Sequence, residues 1–156
     1  RSLSYEKMGT VQDDLEMLKP RLTGADKKGN PFVITADAAI QDAHDPKKAT
    51  LRKIEADLAI DKTSWIDASA AQGMVDMTHG KLELAGGISL FTDTGYQLHT
   101  ESASVDLKTN LVVGPHEVTG MGPMGDLRAD GFRADRQTQQ IMLVGNVHMT
   151  IDRKGK

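Results

Sequence analysis

The 156-residue sequence contains no cysteine. That excludes disulfides, thiolate metal sites and cysteine nucleophiles. It leaves the compartment open, because cysteine-free chains occur in cytosol and periplasm alike. Aromatic residues are scarce: one Trp, two Tyr and three Phe. A carbohydrate-binding face of exposed rings would have only Tyr5, Phe32, Trp65, Phe91, Tyr96 and Phe132 to draw on. No apolar run approaches the ~18 residues of a membrane-spanning helix. The basic excess typical of nucleic-acid binders is also missing, since 19 Lys and Arg stand against 22 Asp and Glu for a net charge of −3. The chain begins at Arg1 rather than Met, and an upstream signal or anchor removed by processing or excision is expected. What remains is a single domain of uniform composition, long enough to bury about two-thirds of its unfolded surface.

Turn signals punctuate the chain. Asp26-Lys27-Lys28-Gly29-Asn30 lies between strand-like runs and predicts a hairpin. Similar polar clusters stand at residues 44–48, 61–64, 78–80, 92–95, 122–125 and 136–139. Short strands separated at that rhythm predict an all-β fold of eight or nine strands. Residues 1–13 read differently: Met8, Val11, Leu15 and Leu18 fall at helical spacing, so a flexible or short helical lead-in is expected there. Strands start at about Asp14, and residues 14–152 form the domain, with a polar tail at 153–156. Pro20 lacks an N–H, which places the first strand at a sheet edge.

An internal repeat runs through the domain. The segments starting at Ile34, Ile66, Leu98 and Leu127 lie 32, 32 and 29 residues apart. Each offers a large aliphatic residue, a small residue two on (Ala36, Ala68, Thr100, Ala129) and an apolar residue five on (Ala39, Ala71, Ala103, Phe132). Strand faces alternate with period two. A jump from +2 to +5 therefore switches the inward face once per unit, as a bulge or corner would. Second strands alternate strictly at Ile54, Ala56, Leu58 and Ile60, and share parity at Leu82, Leu84, Ile88 and Leu90 around Gly86-Gly87. Residues 141–151 form the longest alternating run, and the third unit is less regular.

Motifs for chemistry are thin. Gly120-Met121-Gly122-Pro123-Met124-Gly125 matches G-x-G-x-x-G, but a strand-like segment follows where a helix N-terminus is needed, so a turn is predicted. The five histidines form no close-spaced ligand pair, and neither a metal nor a cofactor is expected. Asp42, Asp106 and Asp135 recur at the same +8 offset, which fits turn capping better than acid–base catalysis. No nucleophile motif is present, and the sequence reads as non-enzymatic. The pairs Lys27-Lys28, Lys47-Lys48 and Arg52-Lys53 read as solvated turns, though an anionic ligand could use them. Small residues recurring inward allow two readings: sheets packed tightly, or a groove walled by Ile, Leu, Val and Ala that suits an acyl chain.

Leu15-Glu16-Met17-Leu18-Lys19-Pro20-Arg21-Leu22-Thr23-Gly24, followed by the run from Gly29 to Ala39, resembles the LptC proteins of lipopolysaccharide export. So do the run from Gly95 to Asp106, Val118-Thr119-Gly120, Leu127-Arg128-Ala129-Asp130-Gly131-Phe132 and Gly145-Asn146-Val147. The resemblance spans about Leu15 to Ile151 and places the chain with the LptA/LptC/OstA-like β-jellyrolls. It implies a twisted β-jellyroll of repeated strand pairs, open at both ends, in the periplasm and anchored to the inner membrane through an upstream helix. It further implies a conduit that takes lipopolysaccharide from an ABC transporter at the N-terminal edge and passes it to an LptA-like jellyroll at the C-terminal edge. A glycine of the family's pattern falls on Gly120 or Gly122. On this reading the acyl chains lie against Ile34, Ile54, Leu58, Leu82, Leu84, Ile88, Leu98, Val105, Leu127, Phe132, Leu143 and Val147. The partner edges would involve Met17, Pro20, Gly120, Ile141, Gly145, Met149 and Ile151. The alternative is a β-solenoid serving as a carbohydrate-binding or scaffold module.

Overall fold

Period-two patterning fixes the fold throughout. A computed structural model describes residues 2–11, 14–135, 138 and 140–152. Its elements are β1 (Ser2–Ser4), β2 (Lys7–Val11), β3 (Asp14–Leu18), β4 (Arg21–Ala25), β5 (Pro31–Thr35) and β6 (Ala38–Gln41). Three long strands follow, β7 (Lys48–Ala59), β8 (Trp65–Asp76) and β9 (Lys81–Thr92). Then come β10 (Gln97–Thr100), β11 (Ala103–Asp106), β12 (Leu111–Gly114) and β13 (Val118–Gly122). The last are β14 (Gly125–Ala129), β15 (Gly131–Asp135), β16 (Gln140–Val144) and β17 (His148–Ile151).

Every pairing is antiparallel, which sets aside a solenoid of parallel coils. The pairings form two series. Sheet I runs β1, β4, β5, the second half of β7, the first half of β8, the second half of β9, β10, β13, β14 and β17. Sheet II runs β2, β3, β6, the remaining halves of β7, β8 and β9, then β11, β12, β15 and β16. The sheets share a seam where each strand line turns a corner. The repeat's face switch marks this corner: β5 gives way to β6 at Ala36-Asp37, β10 to β11 at Glu101-Ser102, and β14 to β15 at Asp130. In β8 the register shifts between Ala70 and Gln72. Opposite it, Gly86 and Gly87 take φ of 80° and 99°, which residues with a Cβ adopt at a cost. Backbone bonds stitch the seam: Lys19 N–H to Asp37 O at 2.9 Å, Asp37 N–H to Arg52 O at 2.8 Å, and Gly87 N–H to Glu101 O at 3.1 Å. The result is an all-β, twisted, open jellyroll.

The core follows the seam. Its buried residues are Ala36, Ala38, Ala39, Ile54, Ala70, Ala103, Val118 and Ala129. Leu51 and Leu84 of sheet II pack against the cluster of Ala36, Ile54 and Ala70, joining the two sheets. Gly73 makes room: a Cβ there would lie 2.6 Å from Ile54 Cδ1.

The structure corrects several expectations. Residues 2–4 and 7–11 are strands, and the helical lead-in is wrong. The helical spacing of Met8 and Leu15 belongs to the β2–β3 hairpin, where Met8 faces Met17. β1 and β2 together supply a strand line beyond the eight or nine expected, the tenth among the described residues. Pro20 sits at the corner between β3 and β4, so it interrupts the strand. β3 lies between β2 and β6, away from any edge. Ala71 is exposed, and the inward place passes from Ala70 to Gly73. The long run at residues 141–151 is two strands, broken where Gly145 and Asn146 take φ of 82° and 44°. Its parity survives the break, because Leu143 pairs with Phe132 and Met149 with Leu127. The turn at residues 136–139, except Thr138, and the tail at 153–156 lie outside the described residues.

Candidate functional site

Directly paired residues of antiparallel strands share a face, so the register reads out each wall. One row crosses all of sheet I: Leu3, Leu22, Ile34, Ala56, Ala68, Leu90, Leu98, Gly120, Leu127 and Met149. Every member is apolar or glycine. With strands about 4.8 Å apart, ten of them span roughly 43 Å. The next row on the same sheet, one residue over, is Ser4, Arg21, Thr35, Glu55, Ser69, Ser89, His99, Thr119, Arg128 and His148. All of these are polar. A single residue step separates an apolar inner wall from a polar outer one.

Sheet II supplies the facing wall. Met8, Met17, Ala39, Leu51 and Gly73 continue into Leu84 and Ala103, and Phe132 pairs with Leu143 farther along. A second row holds Leu82, Val105, Val112, Ala134 and Ile141. Nearest the seam, Ile54, Ala70, Ile88, Thr100, Val118 and Ala129 form the floor. Burial falls away from this floor, and the aliphatic walls stay half-buried. The seam itself is tightly packed, with Ile34, Leu51, Leu84 and Ile88 against Ala36, Ile54 and Ala70, and the half-buried aliphatic rows open outward from it.

Ten of the twelve residues expected to meet acyl chains fall on these inner rows, and Leu58 lies two residues beyond Ala56 on the same strand face. Ile34, Leu98 and Leu127 lie on the long row, Ile54 and Ile88 on the floor, and Leu58 opposite Phe32 and Ile66. Leu82, Leu84, Val105, Phe132 and Leu143 lie on sheet II. Val147 stands apart, in the corner between β16 and β17 and 45% exposed. The sequence reading missed Leu3, Leu22, Met8 and Val112. Leu3 and Met8 were hidden by the helical reading, whereas the parity of Leu22 with Ile34 across the hairpin at residues 26–30 was available as a signal.

The edge residues divide. Met17 lies inside sheet II and pairs with Met8 and Ala39. Pro20 is buried at the seam. Gly120 lies inside sheet I, where a Cβ would come 2.5 Å from Leu98 Cδ2 and 3.1 Å from Leu127 Cγ. The structure thus corrects these three: none is on an edge among the described residues, because β1 pairs alongside β4, β2 alongside β3 and β14 alongside β13. Ile141, Met149 and Ile151 do lie on the last strands, each more than 60% exposed, and Gly145 joins those strands. Among the described residues β16 pairs only with β15, and β17 only with β14.

Among the described residues, no charged side chain stands on these inner rows. Asp42, Asp106 and Asp135 accept turn amides from His44 at 2.8 Å, Lys108 at 2.9 Å and Thr138 at 3.4 Å. The amides of Thr109 and Lys108 hold the Asp106 carboxyl below its ordinary pKa. His79 Nδ1 lies 2.7 Å from Asp76 Oδ2. Asp57 and Asp67 are direct cross-strand partners, and the hydrogen bond between them raises the Asp67 pKa. Behind the last corner, Arg128 binds Glu117 Oε2 at 2.6 Å, Asp130 Oδ1 at 3.1 Å and the Asn146 carbonyl at 2.9 Å. Asn146 Nδ2 donates to Asp130 Oδ2 at 2.7 Å, the main cause of that carboxyl's lowered pKa. Pro123 and Met124 form the loop between β13 and β14, so the glycine-rich motif is a turn leading into a strand.

A family model described as lipopolysaccharide-assembly, LptC-related, matches residues 10–152. No curated protein matches the chain.

Proposed function

The chain belongs to the LptC-related family of lipopolysaccharide-assembly proteins and is a component of lipopolysaccharide transport; from that premise we propose that its groove carries the lipid's acyl chains from one end to the other. The observation behind this reading is the unbroken apolar row across sheet I, from Leu3 to Met149. Each buried CH₂ is worth about 0.8 kcal/mol. A chain of about twelve carbons then gains several kcal/mol, and its release into water is correspondingly costly. Transfer needs a similar environment to continue at the exit. Leu3 and Met8 at one end, and Met149 and Ile151 at the other, expose apolar surface where a neighbouring groove would join.

The N-terminal edge, formed by β1 and β2, would face the periplasmic part of an ABC transporter. The C-terminal edge, formed by β16 and β17, would take an LptA-like jellyroll by strand addition, with main-chain bonds giving affinity and alternate side chains setting register. The work is relocation without turnover, carried out in the periplasm at the inner membrane. To test it, a photo-crosslinking residue is placed at Phe132, Leu84 or Leu143 and lipid A is added. Adducts are expected at all three positions, and their absence from all three would sink the conduit.

A further inference from the structure

One cavity among the described residues lies apart from the aliphatic rows. It measures about 490 Å³ and lies outside the seam, near the N-terminal edge. That volume is within the range of small-ligand sites. Four successive corners build it: Tyr5, Lys19, Asp37 and Lys53 come one from each. Pro20 and Ala36, both buried, form its floor. Arg21 and Glu55 line it from the polar outer row.

The backbone here is costly. Lys19 and Lys53 have φ of 54° and 52°, in the left-handed region. Elsewhere the seam meets the same need with Gly86-Gly87 and Gly145-Asn146, the residue types that adopt this region most cheaply. Both lysines approach one carboxylate from opposite sides: Lys19 Nζ is 3.5 Å from Asp37 Oδ1, and Lys53 Nζ is 3.9 Å from Asp37 Oδ2. All three side chains are exposed, so these ion pairs return little stability. Strain that stability does not repay clusters at functional sites. What it secures here is two ammonium groups bracketing a carboxylate at a cavity mouth. The Arg21 guanidinium makes no hydrogen bond or ion pair among the described residues, so its donors are free for a ligand.

We propose that this cavity binds a phosphorylated sugar. The phosphate would sit among Lys19, Lys53 and Arg21, whose charged donors make strong bonds to phosphate oxygens. Inorganic phosphate alone would leave the acidic lining unused. Glu6 and Glu55 instead accept from sugar hydroxyls, and the half-exposed Tyr5 ring offers an apolar face to the C–H side of a pyranose. The proposal does not depend on acyl chains in the groove, and its test uses none.

The chain is titrated with glucosamine 1-phosphate while amide NMR signals of Lys19, Asp37 and Lys53 are followed. Saturable shifts are expected, with glucosamine and inorganic phosphate each binding at least about tenfold more weakly, the loss of one charge-assisted contact set. Arg21→Ala should weaken binding by at least about tenfold. Lys53→Gly should do the same while leaving Tm unchanged or raising it by about 2–4 °C, because glycine relieves the strained corner. That opposite response separates a ligand site from a merely structural corner. No saturable shift up to about 10 mM, weaker than any specific site of use, would overturn the proposal. So would unchanged affinity in both variants, or inorganic phosphate binding as tightly as the sugar phosphate.

Discussion

At Gly114 a single hydrogen atom makes room for an aromatic ring. A Cβ there would stand 2.1 Å from Phe132 Cε1, on the strand directly paired with it. Gly114→Ala should therefore cost about 1–3 kcal/mol, the range for overpacking. Phe132→Leu in the same chain should recover part of that loss. Urea melts of the single and double variants check both, and a Gly114→Ala melt matching the parent would refute the seat. A second residue-scale expectation concerns Asp67. Its folded pKa is raised by the hydrogen bond to Asp57 first, then by burial and by the nearby charges of Asp57 and Glu55. The folded state thus holds this proton more tightly than the unfolded state. Stability associated with the group grows as pH falls through the folded value and is lost at neutral pH. Like charges directly opposite one another are unfavourable. Asp67→Asn should raise Tm at pH 7, with the gain shrinking below about pH 4. Asp130 behaves with the opposite sign. Its pKa is lowered mainly by Asn146, so its contribution is present above the ordinary carboxylate value and fades as pH falls through the folded one. Asp130→Asn should therefore lower Tm at pH 7 and lose that effect in acid.

Among the elements, β16 and β17 are the clearest partners for strand addition, since each leaves one side unpaired among the described residues. An open edge is a template for another strand. Deleting residues 147–156 should abolish capture of an LptA-like jellyroll while circular dichroism keeps its β spectrum. Undiminished capture would place the joint elsewhere. Much of this architecture was legible beforehand, for a local reason. Alternation at Ile54, Ala56 and Leu58 records which face meets the groove, and the jump from +2 to +5 records the corner. Turn aspartates such as Asp42 and Asp106 were legible because an Asx turn is chemistry between near neighbours. What failed depended on distant neighbours. The strands of residues 2–11 are too short, and residues 2–9 too exposed, to show a clear alternation, so helical spacing of Met8 and Leu15 competed with the hairpin that pairs Met8 with Met17. Met17, Pro20 and Gly120 were assigned to edges, but an edge is defined by what lies alongside a strand. The break in residues 141–151 was invisible because the corner at Gly145 and Asn146 preserves parity on both sides. Only the close approach of Gly145 to Asp130, 2.8 Å from its missing Cβ to Oδ2, shows why the chain must bend there.

The whole molecule has little dry interior. Ile54 is the largest aliphatic side chain in its buried core, most of which is alanine. The aliphatic rows are half-covered, so on the conduit reading a ligand that filled them would complete the core. Occupancy should therefore stabilise the fold by mass action, about 2.7 kcal/mol at a hundredfold excess over Kd. For a domain of this length that raises Tm by several degrees. Differential scanning fluorimetry with lipid A against its deacylated sugar separates the two contributions, and no shift with lipid A would argue against groove filling. The three long strands add a mechanical property. β7, β8 and β9 cross the seam unbroken, while every strand line on either side is cut at its corner. The middle of the molecule is therefore expected to be its stiffest part, and the two ends are expected to yield more readily about the seam. Amide exchange should be slowest in those three strands and fastest in β1, β2, β16 and β17. A tube rigid at its waist and compliant at its rims can be coupled to neighbours at a range of angles without its bore closing, as a hose tolerates misaligned fittings.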